Sequence, residues 1–490
     1  MITDTQYIAW LTDPKAIRIV LIEPTASVAG VETTFYLTTG NYVTGAGDSP
    51  PNQFYLPMAV TNVAVNESLS LTNAASMTVG DVEVHNYNGD RDAWLSYVWV
   101  NRPIKAFVGD PRWARSDFRP IFDGTIEDIG SRARDKLNLK IKDKLQRLNN
   151  AVTETKLGGT SSNKDSLIPV GLGELSNVTP LLVDASTLQF QFADSAIFFA
   201  DTDAVRDNGA PVSTVMTAAT GKFKLGQAQA GAITVSYQAD STANSTLSKL
   251  VQKLVTSYGK STDRFTSADL DAVSLAAFDS SHTQPLGLYL AERTNVINAC
   301  QQLAASLGAQ LTMTRLGLLR LYQLDFTGLV STFTIKNHQM LGQELSIASR
   351  SEVAASVKLG FNKNWTTQDN LLTNLPAASK DALAKPWSTE TYVDTPTQTL
   401  YKLSADPVQE DTLLLRRTDA HAECVRRTNV RKVTRTVYQF TGFSEMLQLS
   451  LGQAVTIFHS RFNLAAGGLG IVVSLQVNWS SNRVVVGVMI

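Results

Sequence analysis

Apolar and polar residues alternate with period two at both ends of the chain and recur with a helical period in its middle. A short amphipathic helix is predicted over residues 7–11, stopped by Asp13-Pro14. The β-branched run 16–23 predicts a strand ending at Pro24, and 33–37 a second strand closed by Gly40-Asn41. Strands follow at 68–71, 81–85 and 102–108. Residues 121–129 and 136–142 predict a long hairpin with a polar turn. Residues 1–150 therefore read as one antiparallel barrel or sandwich.

Residues 151–166 are polar, contain Gly158-Gly159 and Ser161-Ser162, and read as a linker. A small β-rich module is expected over 167–240, with strands near 188–192, 197–199 and 233–237 and a turn at Asp207-Asn208-Gly209. From Ser245 the spacing becomes helical, through Leu247, Leu250, Val251 and Leu254. It is helical again through Leu290, Val296, Ile297, Cys300, Leu303, Ala304 and Leu307, with Gly308 as the stop. A hairpin, 310–314 with 318–323, turns at Leu316-Gly317 and completes an α+β module over 241–330. Residues 331–490 form a C-terminal β unit. Within it, the weakly patterned stretch 365–407 reads as an extended arm or surface loop and 412–428 as a helix. Strands are expected at 432–441, 454–458, 470–477 and 483–490. The fold class is mainly β with an α+β part: two tube-like antiparallel β-barrels plus small inserted β and α/β modules.

The two ends share a layout. Residues 102–108 lead through a basic, Trp-containing loop into 121–129, a polar turn and 136–141. Residues 453–458 lead through Arg461-Phe462-Asn463-Leu464 into 470–477, then Asn478-Trp479-Ser480-Ser481, then 483–490. Identity between them is slight, so either these are two copies of one barrel or two ordinary antiparallel hairpins. If they are copies, a homotrimer would present six quasi-equivalent barrels in a ring. Such a ring can dock on a six-fold tube while its other end keeps three-fold symmetry, and it leaves no exposed sheet edges.

Bulk numbers narrow the field. A chain of 490 residues predicts three or four domains. Hydrophobic residues at 43% supply cores, and a formal net charge of −1 gives no global footprint for nucleic acid or an anionic membrane. The N-terminus has no basic or apolar leader region, and the apolar stretch 464–475 is too short to span a bilayer. Two cysteines, Cys300 and Cys424, make no disulfide framework and fit cytoplasmic synthesis.

Candidate chemistry is sparse. His421-x-x-Cys424 has ligand spacing on a helix but no third ligand nearby in sequence. Asp201-Thr202-Asp203 before Asp207-Asn208-Gly209 lacks the spacing of a calcium loop and reads as a polar turn. Thr220-Gly221-Lys222 lacks the first glycine of a phosphate loop, since Met216 stands there. No nucleophile elbow and no His-Glu-x-x-His occurs. No catalytic, cofactor or metal residue is assigned. Of two basic clusters, the one from Arg112 to Lys144 is interleaved with carboxylates and reads as solvated faces or salt bridges. The second holds Arg416, Arg417, Arg426, Arg427, Arg431, Lys432 and Arg435. It is the candidate interface with a neighbouring chain rather than a DNA site. Trp94, Trp99 and Trp113 either anchor an interface or fill the barrel core.

Several runs together resemble a known family. They are Thr34-Phe35-Tyr36-Leu37 with Tyr42-Val43-Thr44 and Asp48-Ser49-Pro50-Pro51-Asn52; Gly89-Asp90-Arg91-Asp92-Ala93-Trp94 with Asn101-Arg102-Pro103-Ile104; and Gly109-Asp110 with Phe122-Asp123-Gly124-Thr125-Ile126. To these add Asn177-Val178-Thr179-Pro180, Val205-Arg206-Asp207-Asn208-Gly209, Leu451-Gly452 and His459-Ser460-Arg461-Phe462-Asn463-Leu464. Spread over nearly the whole chain, they look like the tail hub and tail-tip (baseplate hub) proteins of long-tailed bacteriophages. The resemblance implies a non-catalytic virion protein at the tail tip, made in the bacterial host cytoplasm and assembled as a homotrimer. It would close the distal end of the tail tube, touch the distal tail protein, the tape-measure protein and receptor-binding or tail fibre proteins, and open for genome ejection. No cofactor, stable nucleic-acid binding or membrane insertion is implied. A peptidoglycan hydrolase, a carbohydrate- or receptor-binding tip and a distal tail ring protein stay open as alternatives.

Overall fold

The computed structural model describes every residue except 1, 59–63, 72–75, 370, 374, 405 and 480–482. The chain is mainly β, with an antiparallel sheet at the N-terminal end, a largely antiparallel one at the C-terminal end and an α+β part between them.

Helix α1 (Asp4–Thr12) opens on a reciprocal cap between Thr3 and Gln6. The first sheet contains β1 (Ile19–Val28) and β2 (Val31–Thr34). After three two-residue strands, β3 (Val65–Ser68) and β4 (Ser76–Val79) lie elsewhere. The sheet continues with β5 (Val82–His85), β6 (Pro103–Gly109), β7 (Arg119–Ala133) and β8 (Lys136–Lys142). Its order is β2-β1-β6-β7-β8-β5. Strand β1 runs through Pro24 instead of ending there. Proline is tolerated because the strand changes partner at this point: Pro24 lies opposite Ile104 of β6, and Thr25 opposite Thr34 of β2. Residues 19–22 form an unbroken apolar run because both faces are covered. Val20 and Ile22 enter the main core, while Ile19 and Leu21 pack on Tyr42, Tyr55 and Phe118.

The middle of the chain carries a five-stranded, a four-stranded and a two-stranded sheet together with three helices. Strand Val170–Val178 pairs with Ile233–Gln238 on one side and Gly287–Leu290 on the other, which ties the β module to the helical one. Helices α2 (Leu247–Ser257), α3 (Ala272–Ser281) and α4 (Val296–Ser306) pack with the hairpin Ala309–Met313/Leu319–Gln323 around a second core.

The second large sheet contains β9 (Phe333–Lys336), β10 (Ser346–Arg350), β11 (Thr436–Gly442), β12 (Ala454–Phe458), β13 (Gly468–Asn478) and β14 (Arg483–Met489). Its order is β9-β12-β13-β14-β11-β10. The hairpin β3–β4 joins this sheet through β13, so an N-terminal segment of sequence completes a C-terminal sheet.

Residues 365–407 are not an extended arm. They hold helices α5 (Ala377–Ala384) and α6 (Thr395–Tyr401), and a strand, Ser388–Val393, paired with Ser356–Phe361. The strand escapes a hydrophobic reading because its one buried residue is Glu390, held by Arg417 and His421. Helix α7 (Arg417–Arg431) starts later than position 412. The residues before it run extended, with Gln409–Asp411 paired parallel to Ser356–Phe361 and Leu413 and Leu414 buried.

Candidate subunit interface

The two large sheets follow one plan. In the first, β5 leads through a 3-10 turn (Asp92–Ser96) into the consecutive strands β6, β7 and β8, and β5 lies beside β8. In the second, β11 leads through a 3-10 turn (Ser444–Gln448) into β12, β13 and β14, and β11 lies beside β14. Both are Greek keys in which the first strand sits next to the last, and both hairpins β7–β8 and β13–β14 carry a bulge. Ile104, Ala106, Phe122 and Leu137 of one sheet and Val455, Ile457, Val472 and Val486 of the other belong to a single continuous core. The two turns contribute Trp94 and Met446 to that core. The sheets differ in their added edge: β1 is antiparallel to β6, whereas β9 is parallel to β12.

A third element locks the pair together. The turn of the hairpin from the α+β part reaches between the sheets. The Arg315 carbonyl accepts from the Asp123 amide of β7 at 2.9 Å, and its guanidinium donates to the Leu449 carbonyl at 3.1 Å. The same guanidinium lies 3.2 Å from Glu67 of β3. Burial raises the Glu67 carboxyl above its ordinary value, with Arg315 and Arg320 opposing.

Helix α7 places the predicted arginines in two groups. Arg416 and Arg417 stand exposed at its N-terminal end, and Arg417 Nε donates to Glu390 at 2.7 Å. Arg426 grips Glu423 with two bonds of 2.7 Å. Arg427 is only 7% exposed. Its Nε donates to Glu423 at 2.6 Å and Nη1 to Glu410, while Nη2 donates to the carbonyls of Ala305 and Ser306 at 2.8 and 3.1 Å. It therefore caps the last turn of α4, where a cation opposes the helix dipole favourably. Arg431 also binds Glu410. For Glu423 and Glu410, burial pushes the carboxyl up, but the surrounding guanidinium bonds and charges outweigh it and hold both below their ordinary values. The Arg435 guanidinium carbon lies over Phe326, 3.9 Å from the ring centre. Lys432 reaches Asp394 at 3.5 Å.

The first basic cluster is likewise paired within the chain: Arg115 with Glu23 at 2.8 Å, Lys136 with Glu83 at 3.0 Å and Lys144 with Asp123 at 3.1 Å. Trp94 and Trp99 are buried in the shared core, and the Trp99 indole N–H donates to the Trp94 carbonyl at 2.8 Å. Trp113 is half-buried, its ring tilted by 49° against Trp10 of α1 with the centroids 4.5 Å apart. His421 Nδ1 lies 2.9 Å from Glu390, while Cys424 is buried against Val357 and Leu359. Among the described residues no three His, Cys, Asp or Glu side chains converge as a metal site would require. No helix among them is long and apolar enough to cross a membrane. The acidic partners Glu390 and Glu410 carried no local signal, whereas Glu423 lies three and four residues before its arginines, a spacing that pairs on a helix.

No protein-family model matches the chain, and no curated protein matches its sequence. Among solved structures it is similar to the tail protein from Neisseria meningitidis MC58, at 8% identity over 96% of each chain with a TM-score of 0.38. It is also similar to the 43 kDa tail protein of prophage MuSo2 from Shewanella oneidensis, at 10% identity over 96% of this chain and 98% of that one, TM-score 0.37. A chain from the virion of a native gene transfer agent particle is similar at 12% identity over 71% of this chain and 91% of its own, TM-score 0.40.

Proposed function

We propose that this protein is a structural, non-catalytic hub of a phage tail tip, one that closes the distal end of the tail tube. It would connect that tube to the distal ring and the receptor-binding apparatus. The observation that carries this reading is the pair of Greek-key sheets of equal topology packed on one core. A subunit with two equivalent sheets side by side lets three chains offer six equivalent surfaces to a six-fold tube, while the inserted modules keep three-fold symmetry. The quoted sequence runs that resemble tail hub proteins point the same way. On this reading the partners are two further copies of the chain, the distal tail protein, the tape-measure protein and receptor-binding or fibre proteins.

The mechanism is mechanical. Obligate subunit contacts bury on the order of 2,000 Å² or more, which keeps the ring closed until receptor contact displaces it for genome ejection. Light scattering on purified protein tests the proposal. The expected species is a trimer of 53.2 kDa chains, about 160 kDa. A monomer that persists at high concentration overturns it.

A further inference from the structure

A cleft of about 940 Å³ opens where α4, the end of α7 and the edge strand β10 meet. Four guanidinium groups line it: Arg350, Arg427, Arg431 and Arg435. Two carboxylates face them, Glu352 and Glu410, so the wall carries a net excess of two positive charges. Arg427 and Arg431 share Glu410. Arg350 and Arg435 have no carboxylate within ion-pair distance among the described residues. The Arg435 guanidinium makes one hydrogen bond, at 3.3 Å to the Val430 carbonyl, and rests on Phe326, with Asp325 acting on it only from beyond ion-pair distance.

The shape of the cleft favours a chain segment over a small ion. Leu69, Leu311, Val437 and Met489 line it beside the arginines, so it is charged and apolar together. One border is β10, every residue of which is exposed, and which among the described residues pairs with β11 alone. Its outer edge leaves main-chain groups open for one more strand. A phosphate would satisfy the guanidiniums but leave the apolar wall and the strand edge bare.

We infer that this cleft docks an extended acidic segment of another protein chain. The segment adds to the edge of β10, places carboxylates on Arg350 and Arg435 and lays its apolar side chains on Leu311 and Val437. The inference rests on the reading of the arginine cluster as an interface and narrows it to one partner chemistry.

The test is fluorescence anisotropy on the full chain with a labelled peptide of alternating Glu and Val. A Gln/Val peptide and unlabelled pyrophosphate serve as comparison probes. The Glu/Val peptide is expected to bind, at least tenfold more tightly than the Gln/Val peptide. Arg350→Glu, at an exposed position, should weaken it by at least tenfold, and raising the salt from 50 to 300 mM should weaken it further. Thermal unfolding of Arg350→Glu matching the wild type confirms that the variant is folded. Absence of binding, or binding that ignores Arg350→Glu, overturns the inference. Pyrophosphate displacing the peptide with equal affinity overturns it in favour of a small-anion site. A chain that trimerises yet ignores the peptide loses this inference and keeps the hub reading.

Discussion

Replacing Arg427 with Met tests the energetics that hold α7 to the α+β core. The guanidinium is 7% exposed and donates to Glu423, Glu410 and two terminal carbonyls of α4. Removing one partner of a buried ion pair costs about 3–5 kcal/mol, because the other charge stays in a poor dielectric. Here Glu423 keeps both bonds to Arg426 and Glu410 keeps Arg431, which draws the figure to the lower end. The Ser306 carbonyl loses its donor, at roughly 1 kcal/mol where water does not reach, while the Ala305 carbonyl keeps the Gly308 amide at 3.0 Å. A loss of about 4 kcal/mol follows, a factor of nearly a thousand in local opening. A global midpoint does not resolve one pair of helices in a chain with several cores, so the readout is native-state hydrogen exchange of peptides covering Val296–Ser306 and Arg417–Arg431. Arg427→Met should accelerate exchange there by two to three orders of magnitude and leave β5–β8 unchanged. Arg427→Lys should fall between, since three donors on one nitrogen cannot reach four separated acceptors. Exchange within tenfold of wild type in Arg427→Met would refute the argument, because desolvation of the guanidinium would then cancel its contacts.

Gly287→Ala should lower the melting temperature by several degrees or abolish soluble expression. A Cβ there would sit 1.8 Å from the Glu174 carbonyl oxygen across the paired strands, and backbone cannot yield as a side chain can. Differential scanning fluorimetry checks it, and an unchanged midpoint would contradict the packing. Asp143 is buried, which pushes its carboxyl from 3.8 to about 6 against the opposing Leu145 and Gln146 amides. The folded state therefore binds this proton more tightly than the unfolded chain, and stability from this group rises as pH falls from about 6 towards 4. The effect is at most about 3 kcal/mol, and Asp143→Asn should flatten that slope in denaturant titrations at successive pH values. Burial also raises both thiols, Cys424 to about 11 and Cys300 further. Neither should react with a thiol reagent until the protein unfolds, and rapid labelling of native protein would show the cysteines to be accessible.

Much of the architecture was legible because its signals are local. Period-two alternation marked β7 and β8 as a hairpin, and the spacing of Val296, Cys300, Leu303 and Leu307 marked α4. What was illegible depends on contacts distant in sequence. Val65-Asn66-Glu67-Ser68 alternates as a strand should, but nothing near it says that it pairs with Ser474–Val477 of the far sheet. The buried Glu67 makes sense only once Arg315 arrives from another module. Residues 388–393 look like loop because their inward position is a carboxylate whose partners lie on α7. The arginines of that helix looked unneutralised for the same reason, since Glu390 and Glu410 precede it in separate elements. Trp94 and Trp99 satisfied two readings equally in sequence, and the indole bond of Trp99 to the Trp94 carbonyl belongs to a packed core.

The most direct test of the hub account is a reconstruction, by electron cryo-microscopy, of the purified assembly without imposed symmetry. The account predicts three chains around a channel, with the β6–β8 sheet and the β12–β14 sheet alternating six times around the axis and the inserted modules repeating three times. A particle in which the two sheets lie at unrelated radii, or in which one chain stands alone, would contradict it.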